Sequence, residues 1–159
     1  MQTISRGITA KDRKAIEEIL RSTDFFYEFE IQTALEIADA TLAKGEEKSG
    51  YLWMKIVDDD GFVAFANYAK NDFSTHSWDL FWIAVHQNSR NKKLGSLLLK
   101  AVEEDVKKAG GKILWIETSG RPLYASTEAF YQRNGYTLQA SLKDFYADGD
   151  PKQIYARIL

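Results

Sequence analysis

Hydrophobic positions along this chain change their period several times, and each change marks an element. Over 11–21 the apolar residues Ala15, Ile16, Ile19 and Leu20 share one helical face. A second helical pattern over 25–42 carries Phe29, Ile31, Ala34, Leu35, Ala38 and Leu42 and ends at Lys44-Gly45. Residues 2–8 suit a short strand. The runs 51–57 and 62–69 are strand-like, and Asp58-Asp59-Asp60-Gly61 between them is a hairpin signal. The apolar run 79–85 predicts a further strand. From 94 to 109, Leu94, Leu97, Leu98, Ala101, Val102, Val106 and Ala109 return to helical spacing. Gly110-Gly111 stops that helix, and 112–118 reads as a strand. A last helix over 126–134 has Gly135 placed to cap it. The strands 136–146 and 153–159 follow, broken by Asp148-Gly149-Asp150-Pro151.

Strand, helix and strand between 79 and 118 favour a parallel pair joined by a crossover, while the hairpins favour antiparallel neighbours. The fold class expected is therefore α/β (α+β): a mixed, mostly antiparallel twisted sheet of six to seven strands with helices on both faces. No internal repeat, low-complexity tract or linker interrupts residues 1–159, so a single domain is expected.

Chemistry enters at the turn Arg90-Asn91-Lys92-Lys93-Leu94-Gly95-Ser96, which opens directly into a helix. A helix start leaves backbone N–H groups without intrahelical partners, and its dipole favours negative charge. Cations there oppose the dipole, so Arg90, Lys92 and Lys93 make sense beside an anionic ligand. A phosphate or pyrophosphate fits that description.

Composition narrows the alternatives. The chain has 159 residues, is 45% apolar and carries a net charge of −2, with four Trp, nine Phe and eight Tyr. It can bury a full core, and it lacks a global basic field for nucleic acid or an anionic membrane. Cysteine is absent, which removes disulfides, thiolate metal sites and a cysteine acyl-enzyme. His76 and His86 stand apart without partners at metal-ligand spacing, so no metal is expected and both read as structural or exposed. No apolar run is long enough to cross a bilayer, and the first residues lack the apolar stretch of a secretory leader. A cytoplasmic protein is the expectation. A P-loop is excluded, because no G-x-x-x-x-G-K-[ST] occurs.

The motifs between 79 and 136 resemble those of the GCN5-related N-acetyltransferases, the GNAT family. Its cofactor signature is Arg or Gln, two residues, Gly, one residue, then Gly or Ala. Here Arg90-Asn91-Lys92-Lys93-Leu94-Gly95 matches at both ends, with Lys93 in the place of the middle glycine. A second signature, an alanine, two residues, Tyr, three residues, Gly and an aromatic, has its parallel in Ala129 to Tyr136, although the spacing of Ala129 and Tyr131 is one residue shorter. Ser126 stands where the family often has an Asn that touches the pantetheine arm.

The resemblance implies an acyl-coenzyme A N-acyltransferase-like fold, with acetyl-coenzyme A as donor and no metal. It implies that the backbone of Ile83, Ala84 and Val85 meets the pantetheine and that Arg90, Asn91, Lys92, Lys93, Leu94, Gly95 and Ser96 cradle the pyrophosphate. Ser126 and Tyr131 would also touch the cofactor. Tyr131 would protonate the departing thiolate, and Asp79 or Glu117 would take the amine proton; the sequence does not separate the two. Phe25, Phe26, Glu28 and Glu30 fall in the region that resembles the family's acceptor wall, and equally suit a helix start packed on the core.

The activity implied is direct acetyl transfer to a primary amine, on a small molecule, a peptide or a protein, in a gap between strands 79–85 and 112–118. Lys93 and Ser126 keep open a non-catalytic acyl-coenzyme A binding or sensing domain. The resemblance leaves both a monomer and a homodimer open.

Overall fold

The computed structural model describes residues 1–159. Seven strands and four α-helices follow the order β1 (Thr3–Arg6), α1 (Asp12–Ser22), α2 (Glu28–Ser49), β2 (Leu52–Asp58), β3 (Gly61–Lys70), β4 (Ser77–Val85), α3 (Leu94–Lys108), β5 (Ile113–Ser119), α4 (Ala125–Arg133), β6 (Thr137–Ala147) and β7 (Asp150–Ile158). The sheet order is β1-β2-β3-β4-β5-β7-β6. The β4–β5 pair is parallel, and β1–β2, β2–β3, β5–β7 and β6–β7 are antiparallel. The mixed sheet expected from the pattern is present with seven strands.

The chain forms two compact units, Met1–Ala69 with Trp82–Asp105, and Lys70–Phe81 with Val106–Leu159. In the first unit, β2 and β3 form the expected hairpin, with Asp58 opposite Gly61 and a bulge between Ile56 and Val57. Trp53 and Phe65 on one face pack with Ile16, Ile19 and Leu20 of α1 and with Ile31, Ala34, Leu35 and Ala38 of α2. Tyr68, on the opposite face of β3, donates its phenol to Asp105 Oδ2 of α3 at 2.6 Å. Helices therefore cover both faces of the hairpin. Val63 to Ala69 are all buried, as expected of a strand without a solvent face.

The second helix departs from the expectation. It begins at Glu28, leaving Phe25 and Phe26 in the preceding connection, and it does not end at Gly45. Gly45 breaks the helical path with φ 83 and ψ 163, a conformation open to glycine, after which the chain resumes the helix to Ser49. Glu46 holds the continuation in place. Its carboxylate accepts the Trp53 N–H at 3.0 Å and lies 3.4 Å from the Arg6 guanidinium.

In the second unit, β5 pairs with β4 from Ser77↔Ile113 to Leu80↔Ile116, and with β7 along its whole length. Gly111 lets the α3 end approach β4: a Cβ there would sit 2.3 Å from Val106 Cγ1 and 2.6 Å from the Trp78 indole. Tyr131 of α4 packs against Tyr136 and Tyr155, with ring centroids 6.0 and 6.2 Å away. The break expected over 148–151 is shorter than the sequence suggested. Asp148 and Gly149 make the turn, and Pro151 lies inside β7 near its start, where a missing N–H is tolerated. β6 is an edge strand, exposed over most of its length, with Gln139 inserted between two paired positions and 143–146 facing only Pro151. No helix is long and apolar enough to cross a membrane.

One ion pair joins α1 to β2. Asp12 Oδ2 receives the Lys55 ammonium at 2.7 Å, the Thr9 N–H at 2.7 Å and the Thr9 hydroxyl at 3.1 Å, with both charged side chains largely buried. Burial raises the Asp12 pKa, but these donors outweigh it and leave the carboxyl below its ordinary 3.8. A depressed carboxyl contributes stability above its unfolded value and loses it as pH falls through the folded value. Asp12→Asn is expected to cost about 1–3 kcal/mol at neutral pH. Melting curves should show that difference shrinking as pH falls below 3.8.

Candidate active site

The basic turn 90–96 lies in the first unit, a few residues beyond the end of β4. Ile83, Ala84 and Val85 form the last residues of β4; Ala84 is buried in the core beneath α1 and α2, and Ile83 and Val85 are half-buried. The His86 N–H donates to Val63 O at 2.8 Å, and His86 Nδ1 accepts the Asn88 N–H at 3.1 Å, opening a short 3₁₀ turn. His86 thus has the structural role read from the sequence, and His76 is exposed.

Beyond the turn, Arg90, Asn91, Lys92 and Lys93 are all exposed, and buried Leu94 anchors the start of α3. Leu97 N–H donates to Lys93 O at 3.1 Å. The N–H groups of Leu94, Gly95 and Ser96 precede that bond in the helix. Asn91 and Lys93 both adopt the left-handed region, with φ 65 and 58. Lys92 stands 3.9 Å from Asp60 on the β2–β3 hairpin, a weak pairing between two exposed groups that an incoming phosphate could replace. Backbone donors and three cations therefore share one tight turn, an arrangement suited to a pyrophosphate.

Asp79, Glu117, Ser126 and Tyr131 lie in the second unit. Asp79 is half-buried and accepts the Asn71 side-chain amide at 3.0 Å. Glu117 is half-exposed, and its carboxylate is held by Lys152 at 2.7 Å. Ser126 is exposed in the first turn of α4. Tyr131 is only 5% exposed. Burial, with the Tyr124 phenol adding to it, pushes the Tyr131 phenol above its ordinary value of 10. A group so shifted stays protonated at neutral pH and can donate.

Phe25, Phe26, Glu28 and Glu30 are near one another in the first unit but do different work. Glu28 is held bidentately by Arg21 at 2.7 and 2.9 Å, which brings its carboxyl down to about 2. Glu30 accepts the Tyr27 N–H at 3.0 Å and so caps its own helix. Both acids are engaged within the chain. Phe26 meets Trp82 edge-on at 5.3 Å, and the Phe25 ring lies beneath Arg90. Tyr27 and Phe29 are exposed and stack at 5.5 Å. The sequence reading passed over Arg21, Trp82 and Asp60. Tyr27 is not one of the residue types that mark a helix start, so its spacing to Glu30 gave no capping signal, and nothing in the spacing of Arg21 and Glu28 marks a pair across a loop.

The acetyltransferase (GNAT) family model matches residues 14–136, more than half of the chain. The chain belongs to the GNAT family. A solved structure from Desulfovibrio desulfuricans, described as a candidate GNAT acetyltransferase, is 35% identical, with 99% of each chain covered and a TM-score of 0.95. Two more distant structures share the fold. One is an aminoglycoside 6'-N-acetyltransferase complexed with coenzyme A, at 17% identity and TM-score 0.77, covering 98% of this chain and 96% of that one. The other is the ribosomal-protein-S18-alanine N-acetyltransferase of Escherichia coli, at 22% identity and TM-score 0.75, covering 99% and 94%. No curated protein matches the sequence.

For a GNAT chain, Lys93 is the informative departure. Lysine stands in the place of the signature glycine and adopts a left-handed φ of 58, which costs an L-residue about 1–2 kcal/mol. Lys93→Gly should relieve that strain and raise stability by about 0.5–1 kcal/mol, after the greater freedom of glycine in the unfolded chain is counted. Lys93→Ala should not. Thermal melts of the three proteins measure the difference.

Proposed function

We propose that this GNAT chain moves an acetyl group from acetyl-coenzyme A to a primary amine by direct attack within a ternary complex. The observation that carries the reading is the turn at 90–96, where Asn91 and Lys93 take left-handed φ values at the start of a helix flanked by exposed cations. The coenzyme A complex of a protein with the same fold supports the choice of donor. In this reading Arg90, Asn91, Lys92, Lys93, Leu94, Gly95 and Ser96 receive the pyrophosphate. The backbone of Ile83, Ala84 and Val85 holds the pantetheine, and a backbone N–H of β4 polarises the thioester carbonyl.

The amine nitrogen forms a bond to the thioester carbon as the carbon–sulfur bond breaks. The sulfur leaves with its electron pair and takes a proton from Tyr131. The ammonium proton of the acceptor passes to a base, with Asp79 and Glu117 as the candidates. Glu117 would have to exchange its Lys152 partner to serve, while Asp79 gives up one neutral amide contact. The engagement of Glu28 and Glu30 by Arg21 and the helix end moves charge recognition of the acceptor away from them. The apolar portion of the amine would meet the exposed Tyr27–Phe29 stack.

A non-catalytic acyl-coenzyme A binding domain is the second reading, favoured by the exposed Ser126 where the family often has Asn. The left-handed turn at Lys93 serves both readings, since each needs the donor to bind, and acetyl release alone separates them.

The deciding experiment mixes the protein with acetyl-coenzyme A and a panel of small amines, aminoglycosides and peptide N-termini, and reads free thiol. Release that depends on an amine supports transfer; coenzyme A binding without release on any acceptor supports the binding domain. Gly95→Asp places a carboxylate beside the pyrophosphate and should abolish calorimetric binding of coenzyme A in a folded protein. Tyr131→Phe keeps the ring in its aromatic cluster and removes the proton donor. Turnover should fall by a factor of about 10²–10⁴ with acetyl-coenzyme A affinity unchanged. Because burial raises this phenol, its ionisation should add no alkaline limb to the parent's rate profile below pH 10.

A further inference from the structure

We propose that Phe25 is a positioning residue for the donor, acting as the platform that holds Arg90 ready for an anionic group. The inference rests on the reading of 90–96 as the pyrophosphate turn. The Arg90 guanidinium carbon lies 5.7 Å from the centroid of the Phe25 ring, within cation–π range. Arg6, Arg13 and Arg21, the other arginines of the first unit, are all paired with carboxylates. Arg90 has no ion pair. An acid at position 25 would also have fixed the side chain, but it would compete with a phosphate for the same charge. A ring restricts the rotamers of Arg90 and leaves its N–H edge and its full charge available.

The platform is itself fixed. Ser22 Oγ donates to Ile19 O at 2.7 Å and accepts the Gln87 N–H at 3.1 Å, tying the end of α1 to the turn that leads into Arg90. Thr23 Oγ1 donates to Leu20 O at 2.8 Å and accepts the Phe25 N–H at 3.3 Å. Asp24 turns the chain with φ 55, a conformation aspartate tolerates better than most residues. Phe26 continues the contact on Trp82 of β4, and its ring lies 6.5 Å from that of Phe25. The α1–α2 connection, expected to belong to the acceptor side, is thus fastened at Ser22, Phe25 and Phe26 to the strand and turn assigned to the donor.

The test is calorimetric binding of coenzyme A to the full chain and its variants. Phe25→Leu should weaken binding about 2- to 5-fold, the size of an exposed cation–π contact. Phe25→Tyr, which keeps the ring, should restore the parent affinity. Arg90→Lys keeps the charge, loses the flat stacking surface, and should weaken binding to a similar extent; its exposed position protects the fold. In an Arg90→Ala background, Phe25→Leu should have no further effect. With an acceptor in hand, Phe25→Leu should raise the KM for acetyl-coenzyme A and leave kcat unchanged. Parent-like binding by Phe25→Leu, or a loss that adds fully to that of Arg90→Ala, would overturn the platform while leaving the pyrophosphate turn intact. A parent protein that does not bind coenzyme A, or an Arg90→Ala variant that binds as the parent does, would overturn the turn itself and the platform with it.

Discussion

Burial of β3 on both faces is the constraint on which the first unit depends. A strand with no solvent face must find partners for the polar groups it carries inward. Tyr68 finds Asp105, the Asn67 NH2 finds Leu52 O at 3.0 Å while its Oδ1 stays buried without a partner, and the neighbouring Trp53 indole finds Thr41 at 2.9 Å. Two of these bonds reach helices, so satisfying the strand also fixes α2 and α3 against it. Asp105 lies about three helical turns from Leu94. Anchoring α3 at that depth sets where its first turn emerges, and with it the position of the N–H groups at the helix start. The turn at 90–96 can then keep two left-handed residues that are not glycine, because the packing on either side leaves the chain no easier route.

Much of this arrangement was legible in the sequence, for definite reasons. Elements with a strong period or a sharp stop were placed well: the hairpin at Asp58 to Gly61, the strand 79–85, the helix that begins at Leu94, and the aromatic helix face of Tyr131. Both motifs of the family lie in those segments. The helix past Gly45 was not legible, since a glycine after a lysine reads as an end. Only Glu46, bonded to Trp53 and Arg6 from other elements, explains why the helix resumes. The partners of the acids at 28 and 30 were not legible for the same reason. Resemblance to the family's acceptor wall and a plain helix start were both open for them, and an arginine seven residues earlier and a capping bond engage them within the chain. Pairings across loops have no period. The left-handed φ of Lys93 was hidden in the residue type, and only its place at the signature glycine pointed to it.

The long exposed edge at β6 has a consequence for the behaviour of this chain in concentrated solution. Leu138, Leu142, Phe145 and Tyr146 are all partly open to water on a strand at the margin of the sheet, the kind of template on which a second copy could add itself and begin a fibre. The unpaired Gln139 and the stretch 143–146, with Asp144 at φ 55, interrupt the row of backbone donors and acceptors that such growth would need. Lys152, whose ammonium is paired with Glu117, covers the Phe145 ring at 4.3 Å. Trimming these extra residues to tidy the hairpin would straighten the edge and remove the chain's guard against self-assembly.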